Sequence, residues 1–433
     1  MRAARGGGLG RAPTIIRAVF VLYDVLLYLA AIAVLPYVIV AGMLRGKYLV
    51  NFPERMGFYK TAPAAHDLWI HAVSVGEALA ARPVADVILR ERPATTIVVT
   101  TTTITGQVQA RRLFPTATVT YFPFDFSASV KRFLRHHRPR VFATMETEIW
   151  PNATRLSRTA GVRLLLANGR ISDRSFPRYR YLRTFVAPVL RRYDRILARE
   201  ATDRERFIAI GAPAEIVETS GNVKFDYVPD ERPLEIAPRL LSLVAGRKVL
   251  VLGSTMQGED ESMIGELERF IAGKNAFVVI APRKPERFEI VAAMLAAAKV
   301  RFVRRSDWND RPAGVLLLDT FGELAKVYRF ATAAFVGGSL VPTGGHNPIE
   351  PAAVGVPVCF GPHMSNFREI ASVFLRDGGA VEAKSAAEVF DFASRMFDSE
   401  AAQRDMSERA RKTVEQNRGA AARTAARILE LLS

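Results

Sequence analysis

Two successions of short, apolar, β-branched runs alternating with helix-period segments leave this 433-residue chain few folds to choose from. The first comprises Asp67–Val73, a helical pattern over Ala78–Arg90, then Thr96–Thr103, Thr118–Phe122, Arg140–Thr144, Val162–Ala167 and Asp194–Ala198, and it ends near Phe225. The second comprises Lys248–Leu252, Ala276–Ile280, Val300–Val303, Val315–Leu318, Ala334–Val336 and Val356–Phe360. Repeated β-α units of this kind predict doubly wound parallel sheets. Residues 229–238 separate them with three prolines and little periodicity, as a linker does. The length is also too great for one ordinary core.

From Val25 to Leu44 the chain is apolar and uncharged, with Asp24 just before and Pro36 inside. That is about the ~20 residues needed to cross a bilayer, and longer than the roughly 7–15 apolar residues of a signal peptide. The predicted fold class is therefore α/β, with two Rossmann-like domains facing a cleft and preceded by an N-terminal membrane-anchor helix. The expected boundaries are 1–46 for the anchor, 47–228 for the first domain, 229–238 for the linker and 239–433 for the second. The Ala-, Arg- and Glu-rich segment Ala401–Leu432 is read as one or two surface helices of that second domain.

The single cysteine, Cys359, excludes an internal disulfide framework. Six histidines, at 66, 71, 136, 137, 346 and 363, show no metal-ligand spacing, so no metal and no cofactor is expected. The net charge of +17 is concentrated in residues 131–206, with 19 Lys/Arg against 7 Asp/Glu, and in residues 1–60, with 8 against 2. Such fields attract nucleic acid, anionic lipid or phosphorylated substrates. No RNA- or DNA-binding signature is present, so nucleic acid is not an expected partner. Basic residues flank both ends of the apolar segment and leave its orientation ambiguous. The basic, cysteine-poor body favours the cytoplasmic face of an anionic inner leaflet.

Three predicted strands run into the same pattern: Ser74-Val-Gly-Glu77, Thr320-Phe-Gly-Glu323 and Asn347-Pro-Ile-Glu350. Each reads as a capping box, with Pro348 at a favoured first helical position. Strand-to-helix turns of a parallel sheet also lie at the edge where ligands bind. Glu77 is the best candidate for a general base there. Glu146 and Glu148 follow another strand and would place two carboxylates on one side of an extended stretch. Lys224 and Arg283 are cations at strand ends, able to neutralise an anionic ligand. The glycine-rich stretch Gly337–Asn347 would allow close backbone approach to a ligand.

Eight blocks in order carry a resemblance to a known family: Ser74–Glu77, Met145–Asn152, Gly221–Asp226, Pro282–Phe288, Gly322–Leu324, Phe335–Leu340, Gly344–Pro348, and Gly361–His363 with Asn366 and Phe367. The chain resembles the 3-deoxy-D-manno-octulosonic acid (Kdo) transferases of lipopolysaccharide assembly, which have the GT-B fold. The resemblance implies transfer of Kdo from CMP-Kdo to a lipid A precursor of the lipid IVA type, with inversion and without a metal. It implies Glu77 as proton acceptor, with Glu146 and Lys224 stabilising the transition state. CMP would be held by Pro282, Arg283, Phe321, Gly322, Glu323, Asn347, Pro348, Ile349 and Glu350. Two departures from the family pattern are Lys284, where His is frequent, and Met256 in Ser254–Glu259.

Overall fold

Each alternation becomes a seven-stranded, all-parallel sheet in the computed structural model, which describes residues 20–34, 51–308 and 312–433. The first sheet comprises β1 (His66–His71), β2 (Ile97–Thr101), β3 (Thr118–Tyr121), β4 (Pro139–Met145), β5 (Arg163–Gly169), β6 (Arg195–Ala198) and β7 (Val217–Thr219). Their spatial order is β3-β2-β1-β4-β5-β6-β7. The second comprises β8 (Lys248–Thr255), β9 (Ala276–Pro282), β10 (Phe302–Arg304), β11 (Val315–Leu317), β12 (Ala333–Val336), β13 (Val358–Phe360) and β14 (Ala380–Glu382). Here the order is β10-β11-β9-β8-β12-β13-β14.

The centres of the inner strands are apolar because helices cover both faces of each sheet. In the first sheet Leu68, Ile70, Val99, Val141, Ala143 and Leu165 enter one buried cluster. Their sequence neighbours Trp69, Val98, Phe142, Leu164 and Leu166 enter another, where the Trp69 and Phe142 rings stack with centroids 3.6 Å apart. This is the two-residue period of a strand, with each face supplied by alternate residues. The second sheet divides in the same way: Leu250, Leu252, Val278 and Ile280 on one side, Val249, Val251, Phe277 and Val279 on the other.

The chain forms two compact units, Met1–Asp226 with Arg418–Ser433, and Tyr227–Asn417. The terminal segment thus requires a correction. It is two helices, Glu400–Gln416 and Ala420–Leu432, and the last belongs to the first unit rather than the second. Its residues Ala420, Ala421, Ala425, Ile428 and Leu432 share a core with Ala78, Ala81, Val84 and Ala85 of helix Val75–Glu91. Small side chains on both helices permit this close packing. Asp226 then caps the incoming helix, accepting from the Gly419 and Ala421 N–H groups at 2.6 and 2.8 Å.

Residues 20–34 of the apolar N-terminal segment are helical. Phe20 is buried beneath the Arg155 and Arg192 guanidinium groups, whereas Val21, Leu22, Val25, Leu26, Leu29, Ile32 and Val34 are exposed. Among the described residues no helix is long and apolar enough to cross a membrane. Residues 35–44 of the expected anchor lie outside the described residues.

Candidate active site

In the first sheet the strand order reverses between β1 and β4. A ligand crevice in an open parallel sheet forms outside the carboxyl ends of two such strands. Glu77 follows β1 and Glu146 follows β4, so the two expected carboxylates come to one place.

Ser74 is extended (φ −124°, ψ 172°) and caps helix Val75–Glu91, accepting a long bond of 3.5 Å from the Glu77 N–H. The Glu77 carboxylate reaches back past it and accepts from the Val73 N–H at 2.8 Å, while the Ser74 hydroxyl donates to its other oxygen at 3.1 Å. The expected capping box is formed, shifted by one residue. Glu77 is 9% exposed. Burial first, then the negative charge of Glu146, push its carboxyl up to about 8 against the pull of the Val73 and Ser74 bonds.

Glu146 takes the left-handed conformation (φ 56°), uncommon for a residue with a side chain and costing on the order of 1 kcal/mol or more. The segment after it is not the expected extended stretch. It is a tight turn, in which the Glu148 N–H bonds to Met145 O at 3.3 Å and the Ile149 N–H to Thr147 O at 2.9 Å. The turn aims the Glu146 carboxylate at the Arg199 guanidinium, its ion-pair partner, and at Lys224 Nζ, 3.3 Å away. Burial opposes ionisation of Glu146, but Arg199 and Lys224 outweigh it and hold the carboxyl below the ordinary range. Burial in turn depresses the Lys224 ammonium, with Glu146 acting against that shift. Glu148 accepts from Trp150 Nε1 at 2.9 Å, and burial raises its carboxyl to about 6.

Arg199 was not among the expected residues, although it directly follows the predicted strand Asp194–Ala198. The strand-end position that marked Lys224 and Arg283 was therefore a signal for it too. Its side chain is 3% exposed, and its Nε donates to Asn168 O at 3.1 Å. Asn168 and Asn222 fix the turn that carries Lys224, accepting from the Val223 and Lys224 N–H groups at 3.2 and 3.1 Å.

The second sheet reverses between β8 and β12. Pro282 ends β9, and the Arg283 N–H is fixed to Thr255 O at 2.9 Å. Asn347, Pro348, Ile349 and Glu350 sit at the start of helix Ile349–Ala353. The Asn347 side chain accepts from the Ile349 N–H at 3.1 Å and donates to Glu350 at 3.4 Å. This is an Asx turn rather than the expected capping box, because Pro348 is itself the N-cap. Burial raises the Glu350 carboxyl, with Asn347 and then Arg283 acting against it. Burial and the Arg283 charge lower His346 to about 4. Arg283, His346, Asn347 and Glu350 therefore form one electrostatic group.

The third expected box, Thr320–Glu323, is not formed. Gly322 is left-handed (φ 84°), so the helix starts only at Leu324, and the Glu323 carboxylate instead pairs with Arg305 at 2.9 Å and takes the Thr320 hydroxyl. Phe321 is 61% exposed and packs its ring 5.7 Å from Phe288, five residues beyond Arg283.

The glycine-rich loop after β12 also departs from expectation. The N–H groups of Gly338, Ser339 and Leu340 all point at the fully buried Glu259 carboxylate, at 2.6, 2.9 and 2.8 Å. The chain's own carboxylate thus fills this nest, and Glu259 ties the two loops of the switch point together. A cavity of about 990 Å³ lies elsewhere, lined by Arg247, Asn275, Arg301 and Ala313, which precede strands of this sheet rather than follow them. Among the described residues no group of His, Cys, Asp and Glu side chains converges as metal ligands would.

A family described as "3-Deoxy-D-manno-octulosonic-acid transferase (kdotransferase)" matches residues 50–227. The 3-deoxy-D-manno-octulosonic acid transferase of Haemophilus influenzae is 32% identical over 95% of this chain and 97% of its own. That of Bordetella pertussis is 36% identical over 86% of this chain and 88% of its own. In fold, the chain matches the structure of a UDP-N-acetylglucosamine 2-epimerase from Listeria monocytogenes, at 13% identity, with a TM-score of 0.59 over 84% of this chain and 95% of that one. Two parallel-sheet α/β domains of this kind are consistent with the GT-B architecture. Identity of about a third, sustained over nearly the full length of both chains, reflects common descent, so the chain belongs to the Kdo transferase family and is a glycosyltransferase.

Proposed function

We propose that this enzyme transfers Kdo from CMP-Kdo to a glucosamine hydroxyl of a lipid A precursor of the lipid IVA type, with inversion at the anomeric carbon. The observation that carries the chemistry is the divergence of two neighbouring glutamates. Glu77 is raised to about 8 by burial and the Glu146 charge, while Glu146 is held ionised by Arg199 and Lys224. Environments that push two carboxyl pKa values apart mark an acid–base pair of distinct roles. Glu77, in the ionised form that grows as pH rises through about 8, accepts the proton of the attacking hydroxyl. Lys224, with Glu146 fixing it, stabilises negative charge during departure of the cytidine monophosphate.

The second unit takes the donor nucleotide through Arg283, Asn347 and Glu350, with Pro282, Pro348 and Ile349 as backbone frame and Phe321, Gly322 and Glu323 on the neighbouring loop. The first unit takes the acceptor. Its basic excess over residues 131–206 suits a bis-phosphorylated lipid, and the exposed apolar face of residues 20–34 suits insertion into the cytoplasmic face of the inner membrane. The deciding experiment incubates the purified full chain with CMP-Kdo and a tetra-acylated lipid A precursor in detergent. Mass spectrometry should find the acceptor heavier by whole Kdo units, matched by free CMP. Release of CMP with no gain in acceptor mass, or transfer from another nucleotide sugar instead, would overturn the reading.

A further inference from the structure

The N-terminal helix over residues 20–34 is tied to the first unit by polar groups of an unusual kind for an apolar segment. The Asp24 carboxylate accepts from the Ser127 hydroxyl at 2.9 Å, from Asn152 Nδ2 at 2.5 Å and from Arg155 Nη2 at 3.3 Å. The neighbouring Tyr23 hydroxyl donates to Asp125 Oδ2 at 3.0 Å.

Both ties end on the same structure. The Asp125 side chain is buried and accepts from the Asn152 and Ala153 N–H groups at 3.0 and 2.7 Å, while its backbone oxygen accepts from Asn152 Nδ2 at 2.7 Å. These are the first turn of helix Pro151–Thr159, whose own N-cap, Trp150, supplies no capping side chain. Asp125 therefore caps this helix from a distant strand loop, as a local Ser or Asp otherwise would. Immediately before the helix lies the turn Met145–Trp150, which holds Glu146 in its left-handed conformation and Glu148 against Trp150.

We propose that Tyr23 and Asp24 are positioning residues for the reaction. The docked N-terminal helix completes the Asp125–Asn152 cap, and this cap holds the Glu146 turn in register with Arg199 and Lys224. The inference rests on the role given above to Glu146. It makes the helix more than an attachment to the membrane, since the same residues that seat it brace the site. A helix that served attachment alone would need no half-buried polar ties at this point. Its exposed apolar residues, such as Leu26, would suffice.

The test measures kcat and KM in one detergent for full-length Tyr23→Phe, Asp24→Asn, their double variant and Leu26→Ala. The Tyr23 and Asp24 variants should lose roughly three- to thirty-fold in kcat with CMP affinity unchanged, whereas Leu26→Ala, on the membrane-facing side, should raise KM for the lipid acceptor without lowering kcat. Asp24→Glu, which keeps the charge, should recover part of the loss. The decisive arm repeats the double variant in a Glu146→Gln background, where the further loss should vanish because the effect runs through Glu146. Full multiplication of the two losses, or a wild-type kcat in both single variants, overturns the proposal. Should Asp24→Asn fail to fold, the milder Tyr23→Phe carries the same test. If Glu146→Gln alone retains wild-type turnover, the role of Glu146 itself fails, and that outcome is read independently of the Tyr23 and Asp24 results.

Discussion

Replacing Glu77 with glutamine separates its structural duty from its chemical one, because the amide can still accept from the Val73 N–H and complete the helix cap. The carboxyl rises from 4.5 to about 8 in the folded chain. A group whose pKa is raised on folding favours the folded state while protonated. That contribution is complete below pH 4.5 and is lost as pH rises through about 8. At about 1.4 kcal/mol per pH unit the rise amounts to at most ~5 kcal/mol, and entry of water on ionisation will reduce it to a few. Glutamine stays neutral throughout. Glu77→Gln should therefore melt with the wild type at pH 5 and well above it at pH 9, by several degrees at roughly 2–4 °C per kcal/mol. Its turnover should fall by about 10²–10⁴-fold, and the rising limb that the wild type shows near pH 8 should disappear. Initial rates of CMP release from pH 6 to 9, beside thermal melts over the same range, measure both. A variant that keeps more than about a tenth of wild-type turnover, well above the loss expected of a missing base, would refute the assignment, as would a wild-type rate flat across the range.

Arg283→Ala and Glu350→Ala should weaken CMP binding in calorimetry, whereas Glu146→Ala should bind CMP normally and transfer slowly; equal CMP affinity in all three would refute the division of labour. Melting temperatures belong beside those data, because Glu350 also braces the Asn347 turn and losing such a cap costs about 1 kcal/mol. A chain beginning at Lys47 should be more soluble than the full chain yet still bind anionic vesicles at low salt and leave them at high salt, with the basic residues supplying the attraction. Indifference to such vesicles at low salt would remove the basic surface from acceptor recognition.

The fold was legible wherever burial on both faces wrote a continuous apolar run. Lys248–Leu252 and Ala276–Ile280 locate β8 and β9, and Arg140–Thr144 locates β4 to within a residue. The edge strands β7 and β14 are not legible because Val217–Thr219 and Ala380–Glu382 each bury only their first residue and carry Glu218, Thr219 and Glu382 where a continuous apolar run would stand. The last helix reads from sequence as part of the second unit, whereas it packs in the first. An alanine-rich face fits any close-packed partner, and nothing local names helix Val75–Glu91 as that partner. At the site, residues adjoining strand ends were legible, and Glu77, Glu146, Lys224 and Arg283 all stand at the carboxyl edges. What could not be read were groups acting from a distance in sequence: Arg199 on Glu146, Glu259 on the glycine loop, and Asp125 on the helix after Trp150. Each is an acid or base among many, distinguished only by where the chain returns.

That the first unit is closed by Arg418–Ser433 sets an order on its biosynthesis. When Asp226 leaves the ribosome the sheet carrying Glu77 and Glu146 has all seven of its strands, yet the face of helix Val75–Glu91 that receives Ala421, Ala425 and Ile428 is bare. The missing helix follows only after the whole of Tyr227–Asn417, which at roughly 5–20 residues per second takes on the order of 10–40 s. Through that interval the nascent first unit exposes an alanine-lined groove and an Asp226 carboxylate still without the Gly419 and Ala421 N–H groups it caps, and the second unit, contiguous in the chain, is free to fold ahead of it. Loss of residues 418–433 would then strip the first unit of a core helix that lies far from the rest of that unit in sequence. A nonsense mutation at codon 418 would strike the unit built from residues before 227.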